Sequence, residues 1–158
     1  MTLSISTLLL LPLGVFATPT EHGIATTRAI ETAPFTPGSE PYELCTSHTI
    51  TSLDLGDNVG SWISCLELQQ WANDNPGKWT INDPADPEYW TALDKWDDCA
   101  LVVENGTPTY VGNKDVDKLI QYVFFRTGTH MGSVEAKGTL TCTGGVTLNW
   151  WLRGSDGL

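Results

Sequence analysis

The stretch Val134 to Arg153, VEAKGTLTCTGGVTLNWWLR, constrains the chain more than any other, because as a β-hairpin it admits one register. A two-residue Gly144-Gly145 loop would set Leu140 against Asn149 and Thr141 against Leu148, leaving apolar groups on both faces. A three-residue loop, Thr143-Gly144-Gly145, sets Cys142 against Val146, Leu140 against Leu148, Gly138 against Trp150 and Ala136 against Leu152. One face is then wholly apolar. Gly145 falls where a bulged turn needs positive φ, which glycine adopts without a Cβ clash. The opposite face pairs Thr141 with Thr147, Thr139 with Asn149, Lys137 with Trp151 and Glu135 with Arg153, and reads as polar and solvated.

A short apolar run, Leu8 to Phe16, ends in the small-residue pattern Val15-Phe16-Ala17. It predicts a signal peptide over 1–17, too short to span a membrane, and hence a secreted, extracellular protein. Thr18 to Pro41 is rich in Thr, Pro and Glu and reads as a flexible leader or propeptide over 18–41, with Arg28 as a candidate processing site. The remainder, 42–158, suits one domain around one core. Eight Lys+Arg against nineteen Asp+Glu give a formal net charge of −11, a field that repels nucleic acid and anionic lipid. No nucleic-acid partner and no stable membrane insertion are expected, and the chain reads as a monomer with a solubilising surface.

Cys45, Cys65, Cys99 and Cys142 show no CxxC or Cys/His cluster, so in an oxidising compartment they read as two disulfides. Three connectivities are open. Cys45 to Cys142 with Cys65 to Cys99 is favoured, because the first would tie the N-terminal arm to the hairpin and the second would clip a helix onto the sheet.

Tyr42 to Leu55 alternates loosely, as an edge strand does. Ser61 offers an N-cap to a helix with Trp62, Ile63, Cys65, Leu66, Leu68 and Ala72 as candidates for burial, stopped by Asn73 to Gly77. Lys78 to Asn82 predicts a strand with Trp79 and Ile81 inward. Asp83 to Asp98 is an acidic, aromatic insertion whose Trp90, Leu93 and Trp96 recur every three residues, as on a short helix or tight turn. Its carboxylates raise calcium, but the ligand order and glycine of an EF-hand loop are missing, so a solvated acidic loop is preferred and no metal site is assigned.

Cys99 to Glu104 predicts a strand, and Asn105-Gly106 a turn into Thr107 to Val111, with Pro108 marking an edge. Asn105-Gly106-Thr107 is also the one N-glycosylation sequon. Asn113 caps the clearest helix, Lys114 to Arg126, with Val116, Leu119, Ile120, Val123 and Phe124 on one face and Asp115 and Asp117 favourable to its dipole. These elements sum to an α+β fold, a small disulfide-linked α/β sandwich: an antiparallel sheet of four to six strands with two helices packed on one face.

A cysteine on the first helix is followed by Gly77-Lys78-Trp79-Thr80-Ile81, Cys99-Ala100-Leu101-Val102-Val103, Gly112 to Ile120, Val134 to Cys142 and Asn149-Trp150-Trp151-Leu152. This series resembles the fungal Ecp-two (Hce-two) effector family, described as a necrosis-inducing factor domain, from about Tyr42 to Arg153. The chain departs from the pattern at Ser64 and at Trp151, where the family usually has an acidic and a small residue. The resemblance implies a small disulfide-linked fold, no cofactor, and a secreted virulence protein that binds a host or competitor target.

An enzyme is the competing class. The cysteines read as paired, and the three histidines are His22 in the leader, His48 near Cys45 and His130 in the loop before the hairpin. A small secreted glycosidase needs only two carboxylates, which are plentiful, but nothing singles out a pair. No catalytic residue is assigned. A cell-wall carbohydrate binder is the third class, because seven tryptophans are many and exposed rings stack on sugars. Trp79 and Trp150 read as core. Trp151 falls on the polar face beside Lys137, where a cation–π contact can form, and these two residues are the candidate partner-binding surface.

Overall fold

A computed structural model describes residues 30–53, 56–82, 90–104, 106–128 and 132–156. The expected signal peptide, the first half of the leader with Arg28 and His22, the acidic stretch 83–89, the sequon residue Asn105 and His130 lie outside the described residues.

The elements in chain order are β1 (Phe35–Pro37), β2 (Cys45–Ser52), β3 (Gly60–Ser61), α1 (Trp62–Asp74), β4 (Gly77–Ile81) and β5 (Trp90–Trp96). There follow β6 (Cys99–Glu104), β7 (Thr109–Gly112), α2 (Asn113–Thr127), β8 (Ser133–Val134), β9 (Ala136–Cys142) and β10 (Val146–Gly154). The main sheet has five antiparallel strands in the order β2-β9-β10-β6-β5. Three further strands, β1-β4-β7, form a separate antiparallel sheet, and β3 pairs with β8. The fold is α+β as expected, with the strands divided among three sheets.

The hairpin has the expected register, with Cys142, Leu140, Gly138 and Ala136 opposite Val146, Leu148, Trp150 and Leu152. Its turn places both Gly144 and Gly145 at positive φ, 80° and 75°. The inner-face residues Leu140, Leu148, Trp150 and Leu152 join Leu101 and Val103 of β6, Cys65, Leu68 and Ala72 of α1, and the apolar stripe of α2 in one core. Trp79 and Ile81 are buried in it, as their alternation predicts.

Helix α1 starts at Ser61, whose side chain makes no cap bond; instead the Asp98 carboxylate accepts the Ser61 N–H at 3.1 Å. It ends at Asn75, whose backbone and side-chain N–H groups both reach the Trp71 carbonyl. Of its expected buried residues, Ile63 is instead 63% exposed, because it falls off the Cys65, Leu68 and Ala72 stripe.

Three expectations are corrected. Residues 30–41 of the supposed flexible leader are an ordered arm: β1 pairs with β4, Ala33 is buried, and Glu31 and Ala33 exchange backbone hydrogen bonds with Ala92. The helix or tight turn over Trp90, Leu93 and Trp96 is strand β5, and a bulge between Ala92 and Asp94 turns Ala92 to the outer face and Leu93 to the core. Trp90 lies with Ala92 on the outer face and Leu93 faces the core, so the three-residue spacing marks no single face. Finally, the chain after Asn105 does not return along β6, because β10 and β5 already occupy both sides of β6; β7 pairs with β4 at an edge. The hairpin partner of β6 is β5, joined through Asp97 at φ 48°, a left-handed conformation that aspartate tolerates better than most residues.

Disulfides join Cys45 to Cys142 and Cys65 to Cys99, the favoured connectivity, and no described cysteine is free.

Candidate functional site

The sheet twists its period-two alternation into two faces, and the outer one carries Lys137 and Trp151 as a directly opposed pair of β9 and β10. The Lys137 Nζ sits 4.0 Å from the centroid of the Trp151 ring, and the Arg153 guanidinium carbon 4.1 Å from it. Arg153 is two residues further along β10 and so shares the face. The ring is half-buried. Its Nε1 donates to Glu135 Oε1 at 3.0 Å, while Glu135 Oε2 accepts the Gly56 N–H at 3.1 Å.

Glu135 was expected on a solvated face; it is 4% exposed, and its charge is balanced by Lys137 at 3.9 Å and by Arg153. Burial pushes the Arg153 pKa down, and the Glu135 charge opposes that shift. Trp90 of β5 meets Trp151 edge-on at 5.8 Å, and both pack with Ile30 of the arm over Ala92, Ala100 and Val102. This end of the outer face is therefore a second, small apolar cluster. Towards β2 the same face stays polar, with Thr49 and Thr139 hydrogen-bonded through their hydroxyls at 2.7 Å.

Lys137 remains the exposed member, with 45% of its side-chain surface open. Arg153 is legible from its spacing to Trp151, whereas Trp90 and Ile30 are not, since nothing local marks β5 or the arm as part of this face. Trp96, 42% exposed at the outer edge strand, is the most open described tryptophan.

The start of α2 holds the segment Tyr42 to Cys45 that leads from the arm into β2. Gly112 is the N-cap, and the Asp115 carboxylate accepts its N–H at 2.7 Å together with those of Leu44 at 2.9 Å and Cys45 at 3.1 Å. Asn113, expected as the cap, lies inside the helix and is fully buried; its Nδ2 donates to the Ala72 carbonyl at 3.0 Å and its Oδ1 accepts the Tyr42 N–H at 2.9 Å. Asp117, 5% exposed, accepts from Gln69 of α1 and from Gln121 and Lys114 of α2, so it joins the helices rather than serving only the dipole.

His48 meets the Tyr122 ring at 4.8 Å, and Ser47 and His48 alternate to opposite faces of β2. Burial pushes the Asp94 carboxyl up to about 6, partly offset by the Lys95 N–H. Among the described residues no group of three or more His, Cys, Asp or Glu is placed to hold a metal ion, and no helix is long and apolar enough to cross a membrane.

No curated protein matches this chain. A family profile, Hce2, described as "Pathogen effector; putative necrosis-inducing factor", matches residues 44–142. That span takes in β2, both helices, both disulfides and the first strand of the hairpin. With most of the chain inside the match, the protein belongs to the Hce2 family of pathogen effectors.

Proposed function

We propose that the protein is a secreted fungal effector that binds a host or competitor protein through the outer sheet face around Lys137, Trp151 and Arg153, without chemistry of its own. One observation carries this reading. Lys137 is held against an aromatic ring and beside a buried carboxylate, yet 45% of its side-chain surface is open to solvent. A lysine so restrained loses less side-chain freedom on binding than a free surface lysine does, so its contacts translate more fully into affinity. Family membership supplies the biological class, and the acidic surface with two disulfides suits an extracellular protein acting as a monomer.

The test is infiltration of the purified secreted protein into a broad panel of host leaves, followed by affinity capture of the partner. Wild type is expected to cause collapse in responsive genotypes and Lys137→Glu to abolish both collapse and capture. An unchanged response with Lys137→Glu overturns the assignment of this face.

A cell-wall carbohydrate reading is favoured by a different ring. Lys137 and Arg153 already occupy Trp151, so sugar stacking there would have to displace a cation, while Trp96 stands open. Retention on chitin, glucan or cellulose that is lost in Trp96→Ala and kept in Trp151→Ala would select it.

A further inference from the structure

The two disulfides sit in unlike surroundings. Cys65 and Cys99 are both wholly buried, where α1 meets β6. Cys142 is buried too, but Cys45 is only partly covered and lines a pocket of about 180 Å³ with Glu43, His48, Asp115 and Lys118. The bond it makes joins directly paired residues of β2 and β9, and β2 is one of the two edge strands of the main sheet. That edge is loosely laddered. Its pairing with β9 shifts between Cys45 and Ser47 and again between Ile50 and Ser52, and the bulged Thr46 and Thr51 turn their hydroxyls to the carbonyls of Thr141 and Lys137.

We propose that Cys45–Cys142 is a reducible latch on the edge strand: a small-molecule thiol reaching Cys45 through this pocket opens it, while Cys65–Cys99 stays oxidised. The thiolate of the small molecule attacks Cys45 Sγ, forming a mixed disulfide and expelling Cys142 as a thiolate, which takes up a proton. A second molecule of the thiol then attacks the small-molecule sulfur of that mixed disulfide. Cys45 leaves as a thiol, and the two small molecules leave joined as their own disulfide, so two thiols supply the two electrons. Access rather than charge decides the selectivity, because Lys118 is already paired with Glu43 at 2.6 Å and the Asp115 carboxylate already accepts three N–H groups, so no free cation among the described lining residues faces Cys45 in the pocket.

Once the bond is open, β2 is held by its interrupted ladder, by the Asp115 carboxylate on the Leu44 and Cys45 N–H groups, and by Thr143 Oγ1 on the Leu44 carbonyl at 2.8 Å. Its release uncovers the inner-face residues Ile50 and Leu140. The device is closed in an oxidising medium and opens in a reducing one, and it does not depend on which target the outer face binds.

The test is titration of the intact secreted protein with reduced glutathione, alkylation of free thiols and peptide mapping. A two-thiol species labelled at Cys45 and Cys142 alone is expected, with amide hydrogen exchange at least tenfold faster over 45–52 and unchanged over 62–74 and 99–104. Labelling of Cys65 and Cys99 at the same dose overturns the proposal, as does the absence of any two-thiol species before all four cysteines react. The Cys45→Ser/Cys142→Ser double variant should stay cooperatively folded with the same local increase in exchange; global unfolding or unchanged exchange over 45–52 in that variant also overturns it.

Discussion

Trp150 stands directly across the ladder from Gly138, and its ring lies so close that a Cβ at Gly138 would come within 2.6 Å of it while also striking the Thr49 carbonyl of the next strand. The largest ring of the inner face is therefore accommodated by the absence of a side chain on its partner. One hydrogen replaced by a methyl group has nowhere to go, since the obstacle on one side is backbone.

Gly138→Ala should destabilise the protein by about 3 kcal/mol, the upper part of the usual range for overpacking. Gly106→Ala, where nothing lies within 4 Å of the added atom, is the control and should change stability by less than ~0.5 kcal/mol. Urea midpoints compare the two. Equal effects would mean that the packing around Gly138 yields.

Asn113→Asp separates two roles of one residue. At an N-cap, Asn and Asp are nearly interchangeable. At the buried position observed, the aspartate cannot donate to the Ala72 carbonyl and brings a charge into the core beside it. The variant should lose about 3 kcal/mol or more. A loss under ~0.5 kcal/mol would return Asn113 to the role of a simple cap.

Asp94 makes stability fall as pH rises. Its folded pKa is raised from 3.8 to about 6, so between those values the folded state holds a proton that the unfolded state has released. Stability is then highest below the unfolded value and is lost as pH rises through the folded one. Asp115, also raised by burial against its three N–H donors, acts in the same direction. Asp94→Asn should stabilise by about 1–2 kcal/mol at pH 7, after allowance for its partial exposure, and by almost nothing at pH 4. Denaturant curves at both pH values would contradict the assignment if the gain were equal or larger in acid.

Lys137→Ala should leave stability within ~0.5 kcal/mol, because its ion pair and ring contact are half-exposed. Trp151→Ala should cost about 2 kcal/mol, less than a fully buried tryptophan, and it also strips the buried Glu135 of a donor. Thermal melts of both variants therefore precede any binding comparison. A Lys137→Ala variant that is clearly destabilised would make the lysine part of the scaffold instead of its contact surface.

The two most regular segments were legible for different reasons. In the hairpin, period-two alternation and the glycine pair leave one register with a dry face, and α2 buries the stripe that its 3.6-residue period marks. The β5 strand was hidden because its bulge breaks the alternation and because both its faces are covered, Ala92 by the outer cluster and Leu93 by the core. The arm was hidden because backbone hydrogen bonds to β4 and β5 order it, and a Thr/Pro/Glu-rich composition carries no trace of those. At the candidate site, Lys137, Trp151 and Arg153 follow from register alone, whereas Trp90, Ile30 and the burial of Glu135 come from segments far away in sequence.

By itself, the sequence determined what is periodic and local: the hairpin register, the inward tryptophans Trp79 and Trp150, the stripe of α2, and four cysteines without a metal-binding spacing. Only the tertiary structure decided the partners. β7 joins β4 because β6 has no free side. Asn113 turns from capping to binding the Tyr42 N–H, while Asp115 adds the Leu44 and Cys45 N–H groups to that of the N-cap, because these part-buried donors need acceptors. The carboxylate that Trp151 donates to is itself held by Gly56 from a distant segment. Periodicity reports which face of an element leaves water, but strand edges and buried donors are satisfied by whatever the rest of the chain brings to them.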